Sequence, residues 1–387
     1  MFDPHWPRAN QSKLGRFALC GTAVLPDPAA RHSKDSESKL VNQEITMRYR
    51  TLGRTGIKVS PYALGAMMFG AMGNPDHEES IRIVHRAVDA GINIIDTAPA
   101  YSDGESEEIV GKALRGRRDN VVLATKVHRV TADASVQRGN SRLWITASVD
   151  KSLRRLQTDY IDLYQIHRPD PDTDIEETLS VLSDLIRSGK VRAIGSSTMP
   201  ASDLVEAQWV ADRRGLQRFR CEQPPYSILD RGIEAEVLPV AQRYGMGILV
   251  WSPLAQGLLT GRARKGQQRT DLRRAAFFKH LSDERRLDAV EQLTTLAEES
   301  GLALRHMAIA FAVTHPGVSS AIIGPRTMDH LEDLLAGAEV TLTDDILDRI
   351  DDIVAPGTDV GTLDMAYRPP ALLEPVLRRR PRPSAAS

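Results

Sequence analysis

Apolar positions along the chain follow two alternating spacings. Short β-branched runs are contiguous in apolar residues, whereas the longer stretches between them place apolar residues three or four apart. The first pattern predicts buried strands and the second amphipathic helices. A hairpin comes first, Tyr49-Arg50-Thr51-Leu52 turning at Gly53-Arg54-Thr55-Gly56 into Ile57-Lys58-Val59. Tyr62 to Gly65 is the first strand of the repeat, with a helix from Glu78 to Ala90 stopped by Gly91. Strand two is Ile92 to Asp96, and its helix is Glu107 to Leu114, opened by Ser106 as N-cap. Strand three is Val121 to Lys126; Ile145, Val149, Leu153 and Leu156 mark the helix that follows. Strand four, Tyr160 to His167, precedes a helix carrying Ile175, Leu179, Leu182 and Ile186. Strand five is Val191 to Gly195, with a helix from Ala201 to Arg214; strand six lies near Phe219 to Gln223, with a helix around Ala235 to Tyr244. Strand seven is Gly247 to Trp251, followed by helices at Ala289 to Glu299 and Ala303 to Val313. Strand eight is Ser320 to Gly324, with a helix from Asp329 to Ala336, and a last helix at Asp344 to Ile353 lies outside the repeat.

Eight strand–helix alternations across residues 62–336 predict an α/β fold, a (β/α)8 TIM barrel with an N-terminal β-hairpin. An open Rossmann sheet is the alternative, but no G-x-G-x-x-G follows the early strands, and Gly65-Ala66-Met67-Met68-Phe69-Gly70 fails that spacing. His128 to Leu143, Leu258 to Leu287 and the stretch after Ala355 are long for linkers, so the barrel carries long loops on its C-terminal face, the usual substrate side. Residues 1–46 show neither periodicity and are expected to be a disordered extension, residues 47–355 the barrel, and residues 356–387 a loosely packed tail. Phe17 to Leu25 has the outline of a signal-peptide core, but it is short and broken by Gly21 and Thr22. Met47 is a candidate start.

Composition narrows the picture. The apolar share of 41% and charged share of 26% are those of a globular protein, and a formal net charge of -1 argues against nucleic acid as partner. No run approaches the roughly 18 apolar residues of a membrane span. Two cysteines, Cys20 and Cys221, are too few for a disulfide framework or metal cluster, so a reducing, cytoplasmic setting and no metal are expected. No pattern singles out an oligomer interface.

The strands close on Asp96, Lys126, His167, Gln223, Trp251 and Gly324, and in a parallel barrel those ends share one face. Singly, each has a plain explanation: a lysine after a strand usually meets water, a histidine can be hydrogen-bonded packing, and Asp96 can form an Asx-turn. Together with Tyr101, five residues beyond Asp96, they make a proton donor. Tyrosine titrates near 10, so it needs positive charge to act as an acid near neutral pH. A lysine ammonium about 4 Å away at an effective dielectric near ~20 is worth roughly 4 kcal/mol, or about 3 pKa units before desolvation offsets it. Asp96 would anchor that lysine, and His167 would orient a carbonyl oxygen beside Tyr101. No nucleophile–base pair, metal-ligand cluster or Walker loop competes in the sequence.

From about Tyr49 to Val354 the chain resembles the aldo-keto reductases. The resemblance rests on Asp96-Thr97-Ala98-x-x-Tyr101, Ala124-Thr125-Lys126, Ile166-His167-Arg168-Pro169-Asp170, Trp251-Ser252-Pro253-Leu254-Ala255 and Ile323-Gly324-Pro325-Arg326, in family order. It implies an NADPH-dependent reduction of small aldehydes or ketones, with Tyr101 as proton donor and Asp96, Lys126 and His167 completing a tetrad. It also implies an NADP(H) site. Ser197, Thr198 and Gln223 would hold the carboxamide, Trp251 would stack on the nicotinamide, and Ser252, Leu254, Gln256 and Gly257 would line the pyrophosphate. Arg262, Gly324, Arg326 and His330 would hold the adenosine end, with Arg326 near the 2′-phosphate. Thr198 stands where asparagine is usual, Ser102 where glycine is common, and His330 and Leu334 where glutamine and asparagine often lie. The alternatives are a regulatory NADPH-binding redox sensor resembling potassium-channel β subunits, and a barrel hydrolase or aldolase using Lys126 as a Schiff base.

Overall fold

The computed structural model describes residues 47–128, 139–262, 265, 279–363 and 367–377. The expectations placed on residues 1–46 and on the end of the tail lie outside these residues. The hairpin is β1 (Arg50–Thr51) and β2 (Lys58–Val59), paired antiparallel. Then come β3 (Tyr62–Gly65), α1 (His77–Asp89), β4 (Ile94–Asp96), α2 (Glu105–Ala113), β5 (Val122–Val127) and α3 (Arg142–Leu156). They are followed by β6 (Ile161–Ile166), α4 (Ile175–Arg187), β7 (Val191–Ser197), α5 (Ala201–Arg214), β8 (Cys221–Gln223), α6 (Val237–Tyr244) and β9 (Gly247–Val250). The chain continues through α7 (Glu284–Glu299), α8 (Leu304–Thr314), β10 (Ser320–Ile323), α9 (Met328–Ala336), α10 (Asp344–Ile353) and a short α11 (Pro370–Leu373).

Strands β3 to β10 close into a parallel barrel in chain order, β10 pairing with both β9 and β3. The (β/α)8 architecture and the hairpin are therefore those the alternating pattern predicts. Element ends move by a few residues where side chains compete with the ladder. Strand β4 starts at Ile94 rather than Ile92: the Asn93 side chain accepts from Ser60 N and donates to Lys58 O, tying that residue to the hairpin side. Helix α7 starts five residues before the expected Ala289, because the Asp283 carboxylate caps it by accepting from Arg285 N. Among the described residues no helix is long and apolar enough to cross a membrane.

Two apolar layers hold the barrel. The larger lies between the strands and the helices. The smaller lies inside the barrel, where Ala63, Ile94, Ala124, Leu163, Ala193, Cys221 and Leu249 meet Leu52 and Val59 of the hairpin. The hairpin thus plugs the N-terminal mouth. Its turn needs Gly53: at φ +53 a Cβ there would stand 2.4 Å from Gly245 O and from Gly247 N. Gly53→Ala is expected to cost about 2–4 kcal/mol from left-handed strain plus backbone collision. Urea unfolding would measure it, and an unchanged midpoint would mean the plug is not held as described.

Side chains on a strand repeat every second residue. Two positions above the apolar layer, the same strands therefore present Asp96, Lys126, Gln165 and Gln223 inward, in that order around the barrel. The pairing brings them level, with Lys126 opposite Gln165 and Gly195 opposite both Gln165 and Cys221. A polar layer thus sits on an apolar floor at the open mouth. Past α10 the chain stays strapped to the β8–α6 connection: Val360 N donates to Leu229 O, Gly232 N to Asp359 Oδ1, and Arg231 N to Thr358 O.

Candidate active site

Lys126 is the centre of the polar layer and is fully buried. An ammonium has three protons. Lys126 donates them to Asp96 Oδ1 at 2.5 Å, Thr97 O at 3.0 Å and the Tyr101 hydroxyl oxygen at 3.2 Å. Burial pulls this ammonium down, but Asp96 and Tyr101 outweigh it and leave the group above its ordinary value. A charged nitrogen with every proton engaged has no lone pair to offer, which weighs against the Schiff-base alternative.

Tyr101 accepts from Lys126, so its own proton is free to point elsewhere. Burial pushes the phenol above its ordinary value; Lys126 pulls it back and Asp96 opposes that pull. The expected lowering by the lysine is thus present but does not win, because burial outweighs it and the carboxylate that anchors the lysine cancels part of its field. The phenol is protonated near neutral pH. The His167 ring lies edge-on to Tyr101, centroids 5.9 Å apart at 84°.

Asp96 is nearly fully buried, and its second oxygen accepts from Gln223 Nε2 at 2.8 Å and Gln165 Nε2 at 3.3 Å. It is an anchor within the layer rather than an Asx-turn. Gln223, expected at the carboxamide, donates to Asp96 here, and its backbone oxygen accepts from Ser197 Oγ at 2.9 Å.

Tyr101 opens a 3-10 turn, Tyr101–Gly104, in which Ser102 (φ 47), Asp103 (φ 56) and Gly104 (φ 96) are left-handed. Helix α2 starts at Glu105 from this turn, so Ser106 is not the N-cap expected of it. Instead, the Ser106 hydroxyl donates to Ala66 O at 2.7 Å and lies 2.9 Å from Thr97 Oγ1. Ser102 tolerates the strained position because its hydroxyl donates to Phe69 O (2.9 Å) and accepts from Met72 N (3.0 Å). Glu105 adds bonds to Ala71 N and His77. The loop carrying Met67 and Met68 is thereby stapled to the Tyr101 turn.

Several residues expected to hold a dinucleotide lie in the loop after β9. Ser252 (φ 58), Ala255 (φ 46), Gln256 (φ 57) and Gly257 (φ 100) put the backbone in left-handed conformations, and within the loop Ala255 N donates to Ser252 O and Gly257 N to Leu254 O. The amide Nε2 and Oε1 of Gln256 and the indole Nε1 of Trp251 are buried without a partner. A Cβ at Gly257 or Gly324 would meet nothing within 4 Å. Buried polar atoms seldom stay unsatisfied, so this loop fits a polar ligand. Trp251 lies one residue past β9, bridged to Pro225. At the far end, burial first, then the charges of Arg262 and Arg326, hold the His330 imidazole below its ordinary value. Leu334 is buried in the helix–strand core and turned away from that role.

Two residues of the mouth, Gln165 and Arg168, and one beneath its rim, Glu222, were not singled out by sequence. Gln165 could have been found by counting two past Leu163. Arg168 sits beside His167, its Nη1 donating to His167 O at 2.7 Å and Thr198 Oγ1 at 3.3 Å, with the guanidinium carbon 5.9 Å from the Trp251 ring centre. Glu222 is fully buried, accepts from Ser196 Oγ at 2.5 Å and Met199 N at 3.1 Å, and is pushed by burial up to about 7.

A sequence model described as "Aldo/keto reductase family" matches residues 62–355, which spans the barrel and every strand end described above. The chain belongs to the aldo-keto reductase family. It is 40% identical over 318 residues to the uncharacterized oxidoreductase YrpG of Bacillus subtilis, covering 79% of this chain and 96% of that protein. It is 39% identical over 296 residues to aldo-keto reductase YhdN of the same organism, covering 74% and 88%. Over 320 residues it is 36% identical to a rice protein (Oryza sativa subsp. japonica) named a probable voltage-gated potassium channel subunit beta, covering 80% and 97%. As an aldo-keto reductase the chain is an oxidoreductase-family barrel.

Proposed function

We propose that the protein reduces aldehydes or ketones to alcohols with NADPH, reversibly, and that Tyr101 is the proton donor. The observation that carries this reading is the chain Asp96–Lys126–Tyr101, in which the lysine donates to both the carboxylate and the phenol oxygen and so leaves the phenol proton for another acceptor. When bound, the reduced nicotinamide supplies a hydride to the carbonyl carbon. Tyr101 transfers its proton to the carbonyl oxygen as negative charge develops there, and the phenolate left behind is held by the Lys126 ammonium. Asp96, kept in place by Gln165 and Gln223, holds that ammonium. His167, at the edge of the Tyr101 ring, orients the carbonyl oxygen.

For the cofactor, Thr198, Ser197 and Trp251 would face the nicotinamide, Ser252, Leu254, Gln256 and Gly257 the pyrophosphate, and Gly324 with Arg262, Arg326 and His330 the adenosine end. Two arginines beside the start of α9 favour a 2′-phosphate, hence NADPH over NADH. A small-molecule carbonyl is the substrate, met by Met67, Met68, Tyr101 and the long loops.

A second reading has support in the rice relative's name: a regulatory subunit that holds NADPH without steady turnover. Purified protein should be titrated with NADPH and NADH, then supplied with aromatic aldehydes and dicarbonyls under excess nucleotide. Reduction over many turnovers with NADPH, and weaker binding of NADH, is the expected result. Tight NADPH binding with no more than one turnover on every carbonyl would favour the sensor.

A further inference from the structure

Arg168 has no role in the proton-donor chain, yet its side chain is turned into the mouth. One Nη1 bonds its neighbour's backbone oxygen and the Thr198 hydroxyl, and the guanidinium lies against Trp251. Among the described residues no carboxylate stands within 4.0 Å of it, unlike Lys126 or the buried Arg286. Burial pulls the guanidinium below its ordinary value, and the charges that act on it are Tyr101 and Glu222. A half-buried cation without a contacting counter-charge is costly, and its cost depends on the charge of whatever binds beside it. Both neighbours it touches, Thr198 and Trp251, belong to the surface assigned above to the nicotinamide.

The two forms of that cofactor differ by one positive charge, which sits on the nicotinamide ring of the oxidised form. We propose that Arg168 makes the site discriminate between them: its guanidinium disfavours the cationic ring, so the protein binds NADPH more tightly than NADP+. This rests on the cofactor reading given above and extends it to the redox state the protein retains. The effect keeps a reductase loaded with reduced nucleotide and speeds loss of the oxidised one. Glu222, below the same loop through Ser196 Oγ and Met199 N, opposes Arg168 when ionised.

Equilibrium dissociation constants for NADPH and NADP+ should be measured by calorimetry at pH 8 on wild type, R168M, R168K and E222Q. The ratio Kd(NADP+)/Kd(NADPH) should fall by about tenfold to a hundredfold in R168M, the size expected for unit charges roughly 6–12 Å apart at an effective dielectric of about 20. R168K, which keeps the charge but not the fork, should hold the wild-type ratio. E222Q, which removes the opposing carboxylate, should raise it. An unchanged ratio in R168M, or an equal fall in R168K, would overturn the inference while leaving the cofactor reading intact. Failure of wild type to bind either nucleotide would overturn both.

Discussion

Replacing Tyr101 by phenylalanine should abolish carbonyl reduction while NADPH still binds with its wild-type affinity. The hydroxyl is the group that Lys126 holds at 3.2 Å, and its proton is the one left for the substrate. Loss of a positioned general acid costs on the order of 10²–10⁴ in rate, and loss of the charge-stabilised phenolate adds to it. The ring remains to pack edge-on with His167, so the fold and the nucleotide surface should be unaffected. The comparison to make is kcat for an aromatic aldehyde beside the NADPH dissociation constant. Near-normal kcat would remove Tyr101 from the proposed role.

The largest effect on stability is expected away from the chemistry, at Arg286. Its side chain is fully buried and gives Nη1 and Nη2 to the two oxygens of Asp230 at 2.9 and 2.8 Å, with Nη1 also 3.1 Å from Val360 O. This pair joins α7 to the β8–α6 connection and to the strand of chain beyond α10. Arg286→Leu leaves Asp230 buried and unpaired, which should destabilise by about 3–5 kcal/mol. Replacing both partners by apolar residues should recover much of that, because no lone charge remains. Chemical denaturation of the single and double variants decides the matter; a double variant no more stable than the single would show that the strap, rather than the stranded charge, carries the cost.

The barrel was legible because its signal is repetitive: eight contiguous apolar runs each followed by helical spacing leave few other architectures. Asp96 and Lys126 were legible as polar residues closing such runs. Gln165 was not, since a glutamine inside Ile161–Ile166 looks like part of the strand until register sets it level with Lys126. Its bond to Asp96 spans 69 residues of chain. Arg168 and Glu222 were hidden for a related reason, as their neighbours Thr198, Trp251 and Ser196 come from other strands. Ser106 misled because a serine before acidic residues is a local helix signal, whereas its hydroxyl is taken by Ala66 from forty residues away. The left-handed run after β9 uses serine, alanine and glutamine, residues with no propensity for that conformation, so only the folded loop reveals it.

The most direct test of the central claim is a single-turnover experiment. Protein preloaded with one equivalent of NADPH is mixed with an aromatic aldehyde or dicarbonyl, and the reduced-nicotinamide absorbance is followed for wild type and Tyr101→Phe. The geometry of Asp96, Lys126 and Tyr101 predicts rapid loss of that absorbance with stoichiometric alcohol in wild type, and none on the same timescale in the variant. Equal decay in both proteins, or no alcohol formed by wild type, would contradict it.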